Sequence, residues 1–195
     1  MEKKSFDVKT FLRKYLMLMV LVGLLIFFSL RARNFFSGAN LMNIVLQCSY
    51  TIVAGLGLSF LMISGGMDLS VGYQMSLMSV VIGILLKDVG MPPFFVILIA
   101  LVMGCLMGLL NGILVVKLQV VPLIITLATS YAFEGLSYLI SNSASWLRLP
   151  GSYTWIGQGY VGPVPVAVII MLVLTALAWF VLSRTYFGRY VYGVG

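Results

Sequence analysis

The sequence predicts an all-α polytopic membrane protein, a bundle of about six transmembrane helices with both termini on the inner side. Three observations lead there. Of 195 residues, 62% are apolar and 9% are charged, where a soluble domain carries about 25% charged residues. The apolar residues gather into six runs, each separated from the next by charges, prolines or glycines. The basic residues lie at the ends of those runs, where topology-setting charges belong. With a mean hydropathy of +1.12, a soluble fold would have too little polar surface to cover itself. Each crossing needs about 20 apolar residues to span roughly 30 Å of hydrocarbon, so the chain has room for six spans and short loops.

The first run covers residues 11–30 and is followed by Arg31-Ala32-Arg33 without a small-residue cleavage pattern, so it is read as an uncleaved span. The second, 41–64, ends at Gly65-Gly66. The third, 70–86, is short for a span unless Met67 to Ser70 also lies within the membrane. Lys87 to Pro93 forms a turn closed by Pro92-Pro93. The fourth run covers 94–116. The fifth, 122–140, opens on Pro122, since proline at a helix N-terminus loses no hydrogen bond. The sixth covers 163–183, and the intervening stretch from Ser141 to Gly162 is the longest loop.

Orientation follows from the positive charges. With the N-terminus inside, inner segments hold eight Lys and Arg (Lys3, Lys4, Lys9, Arg13, Lys14, Lys117, Arg184, Arg189) and outer segments hold four (Arg31, Arg33, Lys87, Arg148). The long loop then faces outside, its Trp146, Tyr153, Trp155 and Tyr160 suited to the headgroup level. The net charge of +7 does not indicate nucleic acid, because no basic face with polar or aromatic partners exists. Cys48 and Cys105 lie inside apolar runs, and without any histidine or CxxC pair they read as small packing residues.

Several features bear on chemistry. Gly65-Gly66-Met67-Asp68-Leu69-Ser70-Val71-Gly72 sets a backbone break and an acidic residue at the start of a span. It reads either as a re-entrant turn capped by Asp68 and Ser70 or as a polar break beside a substrate path. In the fourth run Ala100, Gly104, Gly108 and Gly112 recur every four residues, a face on which another helix approaches closely. Asn111 lies beside that face and either bonds another helix or touches solute. In the fifth run Thr126, Ser130 and Glu134, continued by Ser137 and Ser141, form a polar stripe, with Ala128, Ala132 and Gly135 as an adjacent small face. Glu134 is the one acidic residue well inside a span. It must face a cavity or partner, be protonated, or snorkel to the outer surface. Asp68, Ser70, Asn111, Thr126, Ser130 and Glu134 are the substrate-pathway candidates, and Gly65, Gly66, Gly104, Gly108 and Gly112 the break and packing positions. No catalytic constellation or metal spacing is present, which sets a membrane enzyme last.

Four stretches in order resemble one family. Gly65 to Gly72 resembles the "GG-x-DLSVG" signature of the ribose/xylose/galactose permeases of ABC importers. Asn40 to Ser64 resembles that family's second span, and Gly108-Leu109-Leu110-Asn111-Gly112 with Lys117 to Thr129 resembles its "GLxNG…K…VPPFIxTLGT" region. Ile156 to Gly159 and Arg184 to Tyr192 resemble its "LGQG" loop and "RTxFGRYxYAIGGN" stretch. The resemblance implies a permease subunit for a monosaccharide or similar small polar solute in the bacterial plasma (inner) membrane. It implies a second permease subunit, identical or not, and an extracytoplasmic sugar-binding protein. It also implies a cytoplasmic ATP-binding subunit that carries ATP and Mg, with no cofactor in this chain. Family members run well past this length, so the chain reads as an N-terminal portion that stops before the ATPase-coupling segment. The alternative is a small six-span scaffold or binding protein without transport.

Overall fold

Each apolar run is helical, and the boundaries follow the helix-breaking residues between them. The computed structural model describes residues 8–142 and 148–195, so Lys3, Lys4 and Trp146 lie outside the described residues. Eight helices are described: α1 (Val8–Arg31), α2 (Gly38–Ile63), α3 (Val71–Lys87), α4 (Pro93–Leu118), α5 (Pro122–Ser141), α6 (Gly151–Gln158), α7 (Val166–Arg184) and α8 (Tyr186–Val194). Among the described residues, α2, α4, α5 and α7 are long and apolar enough to cross a membrane, while α3 and the Tyr15–Arg31 part of α1 are shorter apolar helices. This is an α-helical membrane bundle.

Two compact units divide the chain, Met1–Val45 and Leu46–Gly195. In the first, α1 shows its large apolar side chains outward from Leu16 to Leu30, as a helix solvated by lipid should. Its turn is closed by Phe28 stacking on Phe35 at 6.3 Å and by the Asn40 Nδ2 donating to Phe35 O at 2.7 Å. Ser37 Oγ accepts from Asn40 N–H at 3.2 Å, which caps the start of α2.

In the second unit α3, α4 and α5 pack on one another, α3 and α5 most extensively. Leu77, Met107 and Phe133, one from each helix, form the buried apolar cluster, with Tyr73, Met78 and Val81 against it. The other buried positions of α5 are mostly polar: Thr126, Thr129, Ser130, Ser137 and Ser141 face inward, while Leu127, Leu136 and Leu139 face outward. The hydroxyls bond their own helix. Thr129 Oγ1 and Ser130 Oγ donate to Thr126 O at 3.2 and 2.6 Å, and Ser137 Oγ donates to Phe133 O at 2.8 Å. A helix can thus turn a polar face inward without leaving donors unpaired.

Several expectations are corrected. Ser141 to Gly162 is not simply a loop: α6 starts after Pro150, and Tyr50 Oη on α2 donates to Gly157 O at 2.8 Å. Trp155 and Tyr160 are exposed, whereas burial holds the Tyr153 phenol above its ordinary pKa. The last long helix starts at Val166 rather than Pro163, because β1 (Tyr160–Val161) and β2 (Val164–Pro165) pair antiparallel around Gly162, whose φ is +60°. Cys48 and Cys105 are exposed and pack no interior. Ala128, Ala132 and Gly135 also face outward. Of the small residues on α4, Gly104 lies under Met78, where a Cβ would stand 3.8 Å from its Cε, but Gly108 and Gly112 meet open space.

The elbow between α7 and α8 is a close backbone approach in this unit. Thr185 Oγ1 donates to Val181 O at 2.6 Å and accepts from Gly188 N–H at 3.3 Å. A Cβ on Gly188 would run into the carbonyl oxygens of Leu182 and Val181. Gly188→Ala is therefore expected to destabilise the bundle by about 1–3 kcal/mol through overpacking. Gly112→Ala, in open space on a helix, is expected to be neutral or stabilising by roughly 0.5–1 kcal/mol. Denaturation of both variants in detergent micelles compares them. Equal stability of Gly188→Ala and the native chain would refute the elbow's role.

Candidate functional site

The break between α2 and α3 is built by its sequence residue by residue. Gly65, at φ +79°, takes the left-handed position after α2. Its N–H bonds Met62 O at 3.1 Å and the Gly66 N–H bonds Leu61 O at 2.9 Å. These two bonds are the Schellman closure, which satisfies carbonyls a helix end leaves open. A Cβ on Gly66 would stand 2.7 Å from Leu61 Cδ1, so that side chain would have to shift to make room for one. Residues 66 to 68 then run without helix, and α3 begins only at Val71.

Asp68 holds the break closed. Its Oδ1 accepts from Ser70 N–H at 2.7 Å and from Ser70 Oγ at 2.6 Å. Ser70 Oγ in turn accepts from Gln74 Nε2 at 2.6 Å and from Asn111 Nδ2 on α4 at 2.8 Å. Asn111 Nδ2 also lies 3.4 Å from Asp68 Oδ2. Thr126 Oγ1 on α5 accepts from Leu69 N–H at 3.3 Å. Ser70, Asn111 and Thr126 are buried. The seven residues from Asn111 to Leu118 place this polar knot about 10 Å along α4 from its end. Non-helical backbone at such depth is stable only with its polar groups met inside the protein.

The knot brings most of the candidates together. Ser70 stands at the N-cap position of α3, yet its hydroxyl caps no N–H; Asp68 performs the capping instead, and Ser70 is the junction between loop and α4. Asn111 bonds another element of the bundle, the first of its two readings. Its Oδ1 is buried without a hydrogen-bond partner, because the amide must turn its nitrogen toward the carboxylate and hydroxyl. Thr126 belongs to the knot, while Ser130 bonds only its own helix. Gly65 and Gly66 form the break, and Gly108 and Gly112 line a cavity of about 440 Å³ beside it with Asp68, Asn111 and Thr126.

Glu134 stands apart. It is partly buried on α5, with no hydrogen bond or ion pair among the described residues. It borders a groove of about 460 Å³ between α3 and α5, with Tyr73, Ser76 and Tyr138. Among the described residues no group of three or more His, Cys, Asp and Glu is placed to hold a metal. Gln74 and Thr129 were not among the expected site residues. Gln74 had a signal, since it follows Ser70 by four residues in a helix.

The two acidic residues should therefore behave differently in stability. Removing Asp68 leaves the Ser70 N–H, Ser70 hydroxyl and Asn111 amide short of a partner, and Asp68→Ala is expected to cost about 1–3 kcal/mol or more. Glu134→Ala removes no intramolecular bond and takes away a costly intramembrane charge, so it should not destabilise the bundle. Thermal unfolding of the two variants in one detergent tests this. A larger loss for Glu134→Ala would reverse the assignment.

A family model described as "Branched-chain amino acid transport system / permease component" matches residues 40–195. The chain is 30% identical over 201 residues to the ribose import permease protein of Haemophilus influenzae, covering 100% of this chain and 61% of that protein. It is 33% identical to the D-allose transport system permease protein of Escherichia coli, covering 100% of this chain and 60% of the relative. It is 32% identical to the galactose/methyl galactoside import permease protein of Escherichia coli, covering 100% and 63%. The chain thus spans about three fifths of the length of these relatives. No solved structure matches.

Proposed function

The chain belongs to the family of permease components of branched-chain amino acid type transport systems, and from that premise we propose that it serves as a permease subunit of an ATP-driven importer for a monosaccharide or similar small polar solute. The full chain pairs with a second permease subunit, identical or not, in the bacterial inner membrane. It works with an extracytoplasmic sugar-binding protein and with a cytoplasmic subunit that binds ATP and Mg. Six crossings with both termini inside fit the charge distribution of eight inner to four outer basic residues. They require α1 and α3 to cross as well, α3 with the help of the non-helical residues before it.

One observation carries the choice of solute. Glu134 lies within α5 and Asp68 in the break between α2 and α3, and among the described residues of the second unit the basic ones, Lys87, Lys117, Arg148, Arg184 and Arg189, lie at or beyond helix ends or in the last short helix. Carboxylates and hydroxyls, with no cation beside them among the described residues of these helices, suit a neutral solute rich in hydroxyl donors. An amino acid's carboxylate would meet like charge there, at a cost that a dry interior magnifies. The relatives are named as permeases for ribose, D-allose and galactose/methyl galactoside, and the reading agrees with those names. A scaffold without transport is not favoured, because the match to permeases extends over residues 40–195.

The test is uptake by the full-length permease with its ATPase and binding protein in proteoliposomes. ATP-dependent uptake of at least one of D-ribose, D-allose, D-galactose and D-fructose is expected, with no uptake of L-leucine. Leucine uptake without sugar uptake would overturn the reading in favour of an amino-acid carrier.

A further inference from the structure

We propose that the groove between α3 and α5 is a solute-binding site, in which the Glu134 carboxylate accepts two hydroxyls of a neutral polyhydroxylated solute and Tyr73, Ser76 and Tyr138 complete the contact. This rests on the transport reading above and adds the place of binding.

The first support is an inequality of hydrogen bonding on one face. Hydroxyls that α5 turns into the bundle are satisfied by its own carbonyls: Thr129, Ser130 and Ser137. Ser137 and Ser141 border the groove and are likewise bonded to their own helix, but the other polar groups that line it are not. Among the described residues, the Glu134 carboxylate and the hydroxyls of Tyr73, Ser76 and Tyr138 have no hydrogen-bond partner. Ser76 has a helical carbonyl four residues back and does not bond it, whereas Ser79 donates to Ser76 O at 2.7 Å. Free hydrogen-bonding capacity is therefore concentrated at one concave place. An unpaired carboxylate inside a membrane is costly and is expected to face a partner or a wet cavity.

The second support is shape and chemistry. A volume of about 460 Å³ lies within the roughly 300–1,000 Å³ of small-molecule sites. A pyranose or furanose offers hydroxyl edges and an apolar C–H face. A carboxylate accepts from two neighbouring hydroxyls at once, and tyrosine offers an apolar ring with a polar tip. Among the described residues no basic group lines the groove, and its carboxylate repels a solute carrying its own carboxylate or phosphate. The twelve residues from Pro122 to Glu134 set the site about 18 Å along α5. In the proposed orientation this is the outer half of the passage, where solute handed over from outside arrives first. In the knot at Asp68, by contrast, the polar groups are largely engaged in holding the break.

The experiment uses the full-length permease with its ATPase and binding protein in proteoliposomes, and the radiolabelled sugar among D-ribose, D-allose, D-galactose and D-fructose that the native complex takes up best. Glu134→Gln and Ser76→Ala are expected to raise the KM for uptake, Glu134→Gln by about tenfold or more, as loss of a bond to a charged group implies. Glu134→Gln should also admit D-galacturonate as a competitor, where the native complex excludes it. Leu139→Ala, on the exposed side of α5, should leave uptake unchanged. Native KM and native exclusion of galacturonate in Glu134→Gln and Glu134→Ala would overturn the site while leaving the transport reading intact. Loss of subunit pairing in Glu134→Ala, read by cross-linking in the membrane, would overturn it in favour of a subunit interface. A native complex that moves none of the four sugars would defeat the transport reading, and this inference with it.

Discussion

The bundle depends on closing a backbone break inside a medium that offers no water. A chain that leaves α2 at Ile63 and does not resume helix until Val71 exposes amide and carbonyl groups that hydrocarbon cannot satisfy. The Asp68 side chain resolves the worst of this at one point. It takes the Ser70 N–H at the start of α3, where the helix dipole also favours negative charge. Ser70, held by Asp68, receives Asn111 from α4, and Leu69 N–H reaches Thr126 on α5. One short loop therefore fixes the mutual placement of three helices. The 17 residues of α3 extend about 25 Å, and in the proposed six-span arrangement the break supplies the rest of the depth.

From that anchoring follows the polarity of the whole second unit. A soluble core hides apolar side chains and shows polar ones. Here α5 hides threonines and serines and shows leucines. The arrangement holds because each inward hydroxyl has a helical carbonyl three or four residues back. The apolar contribution to packing is confined to Leu77, Met107 and Phe133 and their neighbours, for lipid offers apolar side chains nearly as good a solvent as the interior does. The outward positions of Cys48 and Cys105 follow from the same rule. A small apolar side chain has no strong reason to be inside when the outside is oil.

Much of this was legible in the residues. The runs of apolar residues and their proline and glycine boundaries mark the helices to within a few positions. Gly65-Gly66 followed by Asp68 marks a break at depth, since left-handed backbone and an acidic cap have few other uses there. What could not be read was partnership across the sequence. Asn111 lies 41 residues from Ser70, and nothing local distinguishes a helix-bridging amide from one that touches solute. The glycines of α4 illustrate the opposite failure. A repeat of four implies a helix partner, but only Gly104 has one, and Gly108 and Gly112 border a cavity. Small residues make room, and spacing alone does not say what uses it. α6 was missed because residues 151–158 carry neither a strong apolar period nor charge, and its position is held by Tyr50 from a distant helix.

The two acidic side chains show how one chemical group serves two ends in the same bundle. Asp68 and Glu134 are both carboxylates amid apolar helices, and both should be expensive there. For Asp68 the expense is met within the chain by one main-chain N–H, one hydroxyl and an amide. Glu134 has no such set, although Ser137 lies three residues away on the same helix and could have turned toward it. Instead Ser137 bonds Phe133 O. A carboxylate left open beside hydroxyls that are also open is not accounted for by folding, which it opposes. Thr126 and Glu134 are two turns apart on α5, about 12 Å along its axis, so the helix that anchors the break also carries the open group. The Leu69–Thr126 bond ties α5 to the break, and the groove lies between α5 and α3 farther along. The break and the groove are thus mechanically one assembly: the first sets where α5 stands, and the second is what that position leaves exposed.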